Sequence, residues 1–502
     1  MEQKHQQACS SFSAIPSYYD VASNIQRLKN HGYTNDEISF IIANQNPRDY
    51  VTYIEPLIRK REIVDDTHSY YQRLLHQKAR DSSEAINLYN FADPDSHSNL
   101  YIPISTKSLV PSLRELTLNV LDKHSYPVAL LAGVSNEQKQ RLTNLLCYSG
   151  EMNGHFLELL LSGFPTHIQL RDCSWLTKVE FLKYFETLVT SELEVLQLDK
   201  CGSIITDETV YDTLAKPGNS LSKLTSLSIA GAYDLNNEGL ELLVSSVTAL
   251  RYINLTKCVR LTATGLDILA DSFGSTLKEL YIDGFNLINT KGILKALKRF
   301  KQLQVLSLAG IRDLSDAFIK DYIMACGRNL KGLVLKDCVN LTNVSMRFIA
   351  DFSRRLNVFD ISNMCKLTDS SLGYFMNRFR QLSTLKLYRN LFSDEAIAAF
   401  LEIAGKTLEE LSLNSIDKVG HLTAMSLAKN AKNLHTLDLS QCRNLRDRDL
   451  ALIVSRCLSL RTLKLVGCSQ LTDVFLRGSS NSEIRIIGLK STPIWSKIFF
   501  MN

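Results

Sequence analysis

The 502-residue sequence predicts an α/β solenoid: about thirteen strand–turn–helix units stacked into a right-handed horseshoe, behind an α-helical N-terminal region. Three observations carry this reading. An apolar motif, L-x-x-L-x-L, recurs with a nearly constant period. Each copy leads into a slot that is often small, and then in most units into a Ser/Thr–acidic pair or a variant of it. Apolar residues at helical spacing follow.

The motif runs from Leu193/Leu196/Leu198 and Leu224/Leu227/Ile229 to Leu460/Leu463/Leu465, with a worn copy at Ile484/Ile487/Leu489. First-position spacings are 31, 26, 27, 26, 27, 26, 26, 26, 26, 26 and 24 residues. A degenerate copy at Ile168/Leu170 precedes them. Alternation within L-x-L is that of a strand, with leucines facing the core and the residues between them facing the other way. Three positions after the last leucine comes the slot. It holds Cys173, Cys201, Cys258, Cys338, Cys442 and Cys468, and elsewhere residues such as Phe285 and Asn390. Sequences such as Leu367-Thr368-Asp369 and Leu471-Thr472-Asp473 come next. Ser or Thr before an acidic residue signals a helix N-cap. Helical spacing then appears, as in Leu266/Leu269 and Leu372/Phe375. Thirteen strands at roughly 4.8 Å would line a concave surface about 60 Å long.

Period, leucine positions, cysteine slot and Leu-Thr-Asp turn together resemble the cysteine-containing leucine-rich-repeat family, the ribonuclease-inhibitor-like repeats of F-box proteins. The resemblance covers residues 165–494. Departures are the long unit after Leu193, and Phe285 and Asn390 in the slot, where local irregularity is expected. It gives the cysteines a structural role, since a free cysteine packs as a small buried hydrophobe.

Ahead of the repeats the chain divides into a polar tail (1–16), a helical region (17–91), a linker (92–108) and an apolar helical segment (109–164). Residues 495–502 read as a C-terminal cap. The order of helices in 109–164 resembles the lead-in of yeast-type repair leucine-rich-repeat proteins, which partner a cullin-based ubiquitin ligase. An F-box would stand at the same place. Leu113, Leu116 and Leu121 are then the candidate docking residues for a cullin-linking protein. The alternative is that this segment only closes the open end of the solenoid, as any solenoid requires.

Net charge is +5, from 57 Lys and Arg against 52 Asp and Glu. No apolar run reaches the 18 residues that suggest a membrane span, and no secretory signal opens the chain. A cytoplasmic protein with reduced thiols is expected, with the nucleus also allowed. No nucleotide-binding, esterase or metal-binding motif occurs. A non-enzymatic protein is expected, with no cofactor and no metal.

Residues flanking the middle leucine of each strand supply the candidate partner-binding surface. They form an acidic-aromatic group, Tyr252, Asn254, Glu279, Tyr281 and Asp283, and a basic-aromatic group at Lys386, Tyr388 and Arg389, with Lys336, Asp360, Asp438 and Lys464 scattered between and beyond. Aromatic and Arg side chains are common anchors of protein interfaces. No basic stripe runs along this face, so a protein partner is expected rather than nucleic acid, bound by a monomer. The resemblance implies a substrate adaptor of a cullin-type ubiquitin ligase, or a bacterial effector imitating one. A nuclear DNA-repair factor and an enzyme with an unrecognised N-terminal domain are the alternatives.

Overall fold

The computed structural model describes residues 136–488, apart from 162–164, 217–219, 286–289, 377 and 477–483. Leu113, Leu116 and Leu121 and the C-terminal cap lie outside the described residues.

Thirteen strands form one parallel sheet in strict sequence order. They are β1 (His167–Leu170), β2 (Val195–Leu198), β3 (Ser226–Ser228), β4 (Tyr252–Asn254), β5 (Glu279–Tyr281), β6 (Val305–Ser307), β7 (Gly332–Val334), β8 (Val358–Asp360), β9 (Thr384–Lys386), β10 (Glu410–Ser412), β11 (Thr436–Asp438), β12 (Thr462–Lys464) and β13 (Arg485–Ile487). Register is kept from unit to unit, so the middle leucines form one row: Leu411 pairs with both Leu385 and Leu437. These leucines are buried to within 1% of full burial. Helices such as Ala263–Phe273 and Asp394–Ala404 return the chain and pack on their neighbours. Packed helices need about 8–10 Å each whereas strands need about 4.8 Å, so the stack bends with its strands inside.

Most cap signals act as the sequence suggested, although the Thr368 side chain makes no cap hydrogen bond and accepts from Asn343 Nδ2 instead, and the acidic residue does more. Ser315, Thr342 and Ser393 cap their own helices by accepting from backbone N–H groups. The residue after the cap reaches into the next unit. Asp316 accepts from Thr342 N at 2.9 Å, and Asp369 from Ser393 N at 2.9 Å. Asp394 accepts from Gly420 N, Leu422 N and Thr423 N at 2.9–3.0 Å. Each such carboxylate satisfies N–H groups that a helix start leaves unpaired.

The slot has a matching function. Cys258, Cys338, Cys442 and Cys468 each donate Sγ–H to a third-leucine carbonyl of the preceding unit, at 3.2–3.4 Å. Asn390, outside the cysteine pattern, donates Nδ2–H to the corresponding Ile361 O at 2.9 Å and accepts from Met364 N at 2.8 Å. The irregularity expected at Asn390 is therefore absent, because its amide makes the same bond. Burial raises the thiols, Cys258 to about 12 and Cys457 to about 11.

Just before the slot, the chain turns through the left-handed region. Lys200, Lys257, Asp337, Asn363, Arg389, Ser415 and Gln441 have φ of 55–62° there, and Gly231, Gly284, Gly310 and Gly467 stand at the equivalent positions. The turn aims that N–H at the next unit, as in Arg389 N to Asn414 O at 2.9 Å. It also drives the slot residue into the core. The helical stretch of the long unit after Leu193 ends in a π-helical turn, Val210–Leu214, with its first carbonyl accepting from Ala215 N.

At the N-terminal side, α1 (Asn136–Ser149) lies against β1, where Gln140 Nε2 donates to Gln169 O at 3.2 Å. The short helix α2 (Gly154–Leu160) follows and buries Phe156, Leu157, Leu159 and Leu160.

Candidate functional site

Strand register arranges the candidate residues in rows across the concave face. One row passes through Asn254, Tyr281, Ser307, Val334, Asp360, Lys386, Ser412, Asp438 and Lys464. A parallel row holds Tyr252 and Glu279. Asp283, Lys336 and Tyr388 stand two residues beyond the first row, where the strands end.

In the acidic-aromatic group the Tyr252 and Tyr281 rings pack at 5.3 Å between centroids. Tyr281 Oη donates to Glu279 Oε2 at 2.9 Å. Asn254 Oδ1 accepts from Thr256 N at 3.0 Å. Asp283 accepts from Ser307 Oγ and, at 2.8 Å, from Ala309 N. Burial pushes its carboxyl up to about 7, against the pull of those hydrogen bonds.

In the basic-aromatic group Tyr388 lies between two cations, Lys336 Nζ at 5.9 Å and the Arg389 guanidinium at 5.8 Å from its ring centroid. These are cation–π distances. Lys386 Nζ lies 3.9 Å from Glu410 Oε1. Asp360 accepts from Ser362 N at 2.9 Å; burial raises its carboxyl, while Lys386 and Lys336 hold it down. Asp438 accepts from Ser440 N at 3.0 Å, beside Lys464 in register.

The structure thus joins what the sequence presents as two patches. Asp283, Lys336, Asp360, Lys386 and Glu410 form a continuous series of alternating charge along the sheet. Glu410, which flanks the middle leucine of β10 as the other candidates flank theirs, joins the series through Lys386.

Exposure differs from the simple expectation of a wet face. Ten of the twelve candidates are no more than 8% exposed: Tyr252, Asn254, Glu279, Tyr281, Asp283, Lys336, Asp360, Lys386, Asp438 and Lys464. Rows at the interstrand spacing stack side chain on side chain, and inward curvature tightens them. Tyr388 is half-buried, and Arg389, lifted by its left-handed turn, is exposed.

At β1–β3 a second polar group is buried: Gln169, Arg171, Gln197, Asp199, Ser226 and Ser228. Asp199 accepts from both Gln197 Nε2 and Ser228 Oγ, and burial raises its carboxyl. The Gln169 amide, fully buried, has no hydrogen-bond partner on either atom.

Among the described residues no cluster of three His, Cys, Asp or Glu is placed to hold a metal ion. Among them, too, no helix is long and apolar enough to cross a membrane.

A strictly sequential parallel sheet, one returning segment per strand (usually helical) and a thiol slot tied to the preceding unit define a leucine-rich-repeat solenoid. No family model matches the chain. The chain is similar to DNA repair protein RAD7 of Saccharomyces cerevisiae, 26% identical over 379 residues, which is 73% of this chain and 65% of that protein. It is also similar to DNA repair protein rhp7 of Schizosaccharomyces pombe, 24% identical over 352 residues, 68% of this chain and 60% of that one. The matches therefore span just under two-thirds of the length of these relatives. Among solved structures, the yeast complex of Rad7 and Elc1 contains a chain of the same fold, with a TM-score of 0.61 and 22% identity, covering 76% of this chain and 98% of that one.

Proposed function

We propose that this protein is a non-enzymatic recognition scaffold that binds a protein partner on its concave face and serves as a substrate adaptor of a cullin-type ubiquitin ligase. The observation that supports the reading best is the register-aligned concave face, where Tyr388 and Arg389 beside β9 combine exposure, aromatic area and charge. The similarity to a Rad7 chain solved together with Elc1 supports the ligase side. In this reading an Elc1-like protein docks on residues 109–164, through Leu113, Leu116 and Leu121, and the repeats select the substrate. A nuclear DNA-repair role is the second reading, favoured by the names of the two yeast relatives. The two are compatible if the selected substrate is itself a repair or chromatin protein, and either places the protein in the nucleus as well as the cytoplasm.

The test is affinity purification of the full chain from eukaryotic cells with identification of bound proteins. A cullin-linking protein should copurify with the wild type and be lost from Leu116→Glu/Leu121→Glu. Tyr388→Ala/Arg389→Ala should retain the linker and lose a different set of proteins. Retention of the linker by a folded Leu116/Leu121 variant would overturn the docking assignment. No change with the Tyr388/Arg389 variant would move the substrate site away from this end of the face.

A further inference from the structure

A concentration of like charge in the described residues lies on neither the concave face nor the helices. It lies on the edge where helices hand over to strands. Four consecutive loops there, 298–304, 326–332, 353–358 and 378–384, hold nine Lys and Arg and no Asp or Glu. Flanking loops are ordinary: 274–279 sets Lys278 against Glu279, and 405–410 sets Lys406 against Glu409 and Glu410.

Two of the nine are neutralised locally. Arg299 pairs with Asp267 and Asp271, and Arg378 with Asp351 at 3.3 Å. Among the described residues, no ion pair engages Lys301, Arg328, Lys331, Arg354, Arg355 or Arg380. All but Lys331, which is half-buried, are exposed. Like charges at this density repel one another, and an anion would relieve that cost.

The edge is also shaped. An indentation of about 270 Å³ is lined by Lys301, Gln302, Gln304, Asn329, Lys331 and Arg355, from three successive units. Its backbone is fixed: Lys331 N donates to Gln304 O at 2.7 Å and Asn357 N to Lys331 O at 2.8 Å. Asn329 Nδ2 donates to Lys301 O at 3.1 Å. The loop backbones therefore need not order when a ligand binds, which lowers the cost of binding to that of ordering the side chains.

We infer that this edge is a phosphate-binding site that receives a phosphorylated side chain of a protein partner. A phosphoryl group brings about −1.5 to −2 charges in a compact form, with three acceptor oxygens. Lys301 and Lys331 supply point charges, Arg355 can pair with two oxygens at once, and the Gln and Asn amides add directional donors. A carboxylate side chain has half the charge and fewer acceptors. Single-stranded nucleic acid fits less well, because the aromatic rings of these loops, Phe300 and Phe379, are buried and offer nothing for bases to stack on. A duplex carries its phosphates on a convex ridge that would pass over the indentation rather than enter it. The inference is independent of the concave-face reading.

The test uses the full chain and fluorescence anisotropy. Probes are a labelled pool of random peptides with a central phosphoserine, the same pool with serine, and a short DNA duplex. The phosphorylated pool should bind at least about tenfold more tightly than the serine pool, and inorganic phosphate should compete. Lys331→Glu/Arg355→Glu should abolish the preference, and Lys406→Glu, exposed on the flanking loop and outside the indentation, should keep it. If the charge reversal prevents folding, Lys331→Gln/Arg355→Gln replaces it. Equal binding of the two pools would overturn the inference. So would tighter binding of the duplex, lost in the same variant, which would assign the edge to nucleic acid.

Discussion

Units β1–β3 and units β7–β12 are built on one motif, yet they tie neighbours together differently. In the later units the spacing is 26 residues. There carboxylates such as Asp369, Asp394 and Asp447 accept backbone N–H groups of the following unit. Cys338, Asn390, Cys442 and Cys468 bond back to the preceding one. In the early units the spacing reaches 31 residues and such links are fewer, with Asp207 accepting from Asn236 N at 3.1 Å, and partly exposed ion pairs stand beside them: Lys178–Glu208, Lys216–Glu186 and Lys223–Glu192. Their concave face also buries an amide, that of Gln169, with no partner. A buried link to backbone is strong and position-specific, whereas an exposed ion pair is screened and weak. The later units should therefore behave as the rigid part of the stack.

The contrast can be broken most severely in the core. Leu385→Ala in β9 should cost about 2–5 kcal/mol by urea unfolding. Units contact only their neighbours, so hydrogen exchange should rise around β8–β10 and stay at its wild-type level at β1–β2. Uniform loss of protection would contradict a locally coupled stack. Asp394→Ala strips three N–H groups of their charged acceptor and should cost about 1.5–3 kcal/mol. Asn390→Ala should cost about 1–3 kcal/mol, with Asn390→Cys restoring part through a bond to Ile361 O. Equal stabilities of the alanine and cysteine variants would deny the slot its hydrogen-bonding role.

Asp283 sharpens the picture through pH. Its folded value, about 7, lies above the ordinary 3.8. The folded state therefore keeps a proton that the unfolded chain has released. Stability should fall as pH rises from near 4 to near 7, by up to about 1.4 kcal/mol per pH unit, and level off above that. Asp283→Asn should flatten this profile and exceed the wild type at pH 8, as read from unfolding midpoints. The smallest effect is expected in the early units, where Lys216→Ala should change stability by less than about 1 kcal/mol and less still at high salt.

Much of this was legible in the chain. The leucine columns predicted the strands β1 to β12 in register, because a buried parallel strand leaves an alternating signature in the residues themselves; in the worn last copy it is Ile486, not Ile487, that pairs with the middle leucine Leu463. Thr342 and Ser393 were readable as caps because capping is local. The second role of Asp316 and Asp394 was not, since their acceptors serve N–H groups 26–29 residues away. Likewise the seven non-glycine residues at positive φ carry no common side chain. Their conformation is imposed by the ladder bond to the next unit and the descent of the slot residue.

The residues alone determined the period, the strand–turn–helix alternation, the thiol slot and the candidate concave columns, for these follow from spacing and from which side chains leave water. Only the tertiary structure decided which columns meet. It joined Asp283, Lys336, Asp360, Lys386 and Glu410 into one charge series, set Tyr388 between two cations, and gathered Lys301, Lys331 and Arg355 from three units on one edge. The reason is physical: the repeat places residues about 26 positions apart in adjacent strands, and contact at that separation is a property of the stack.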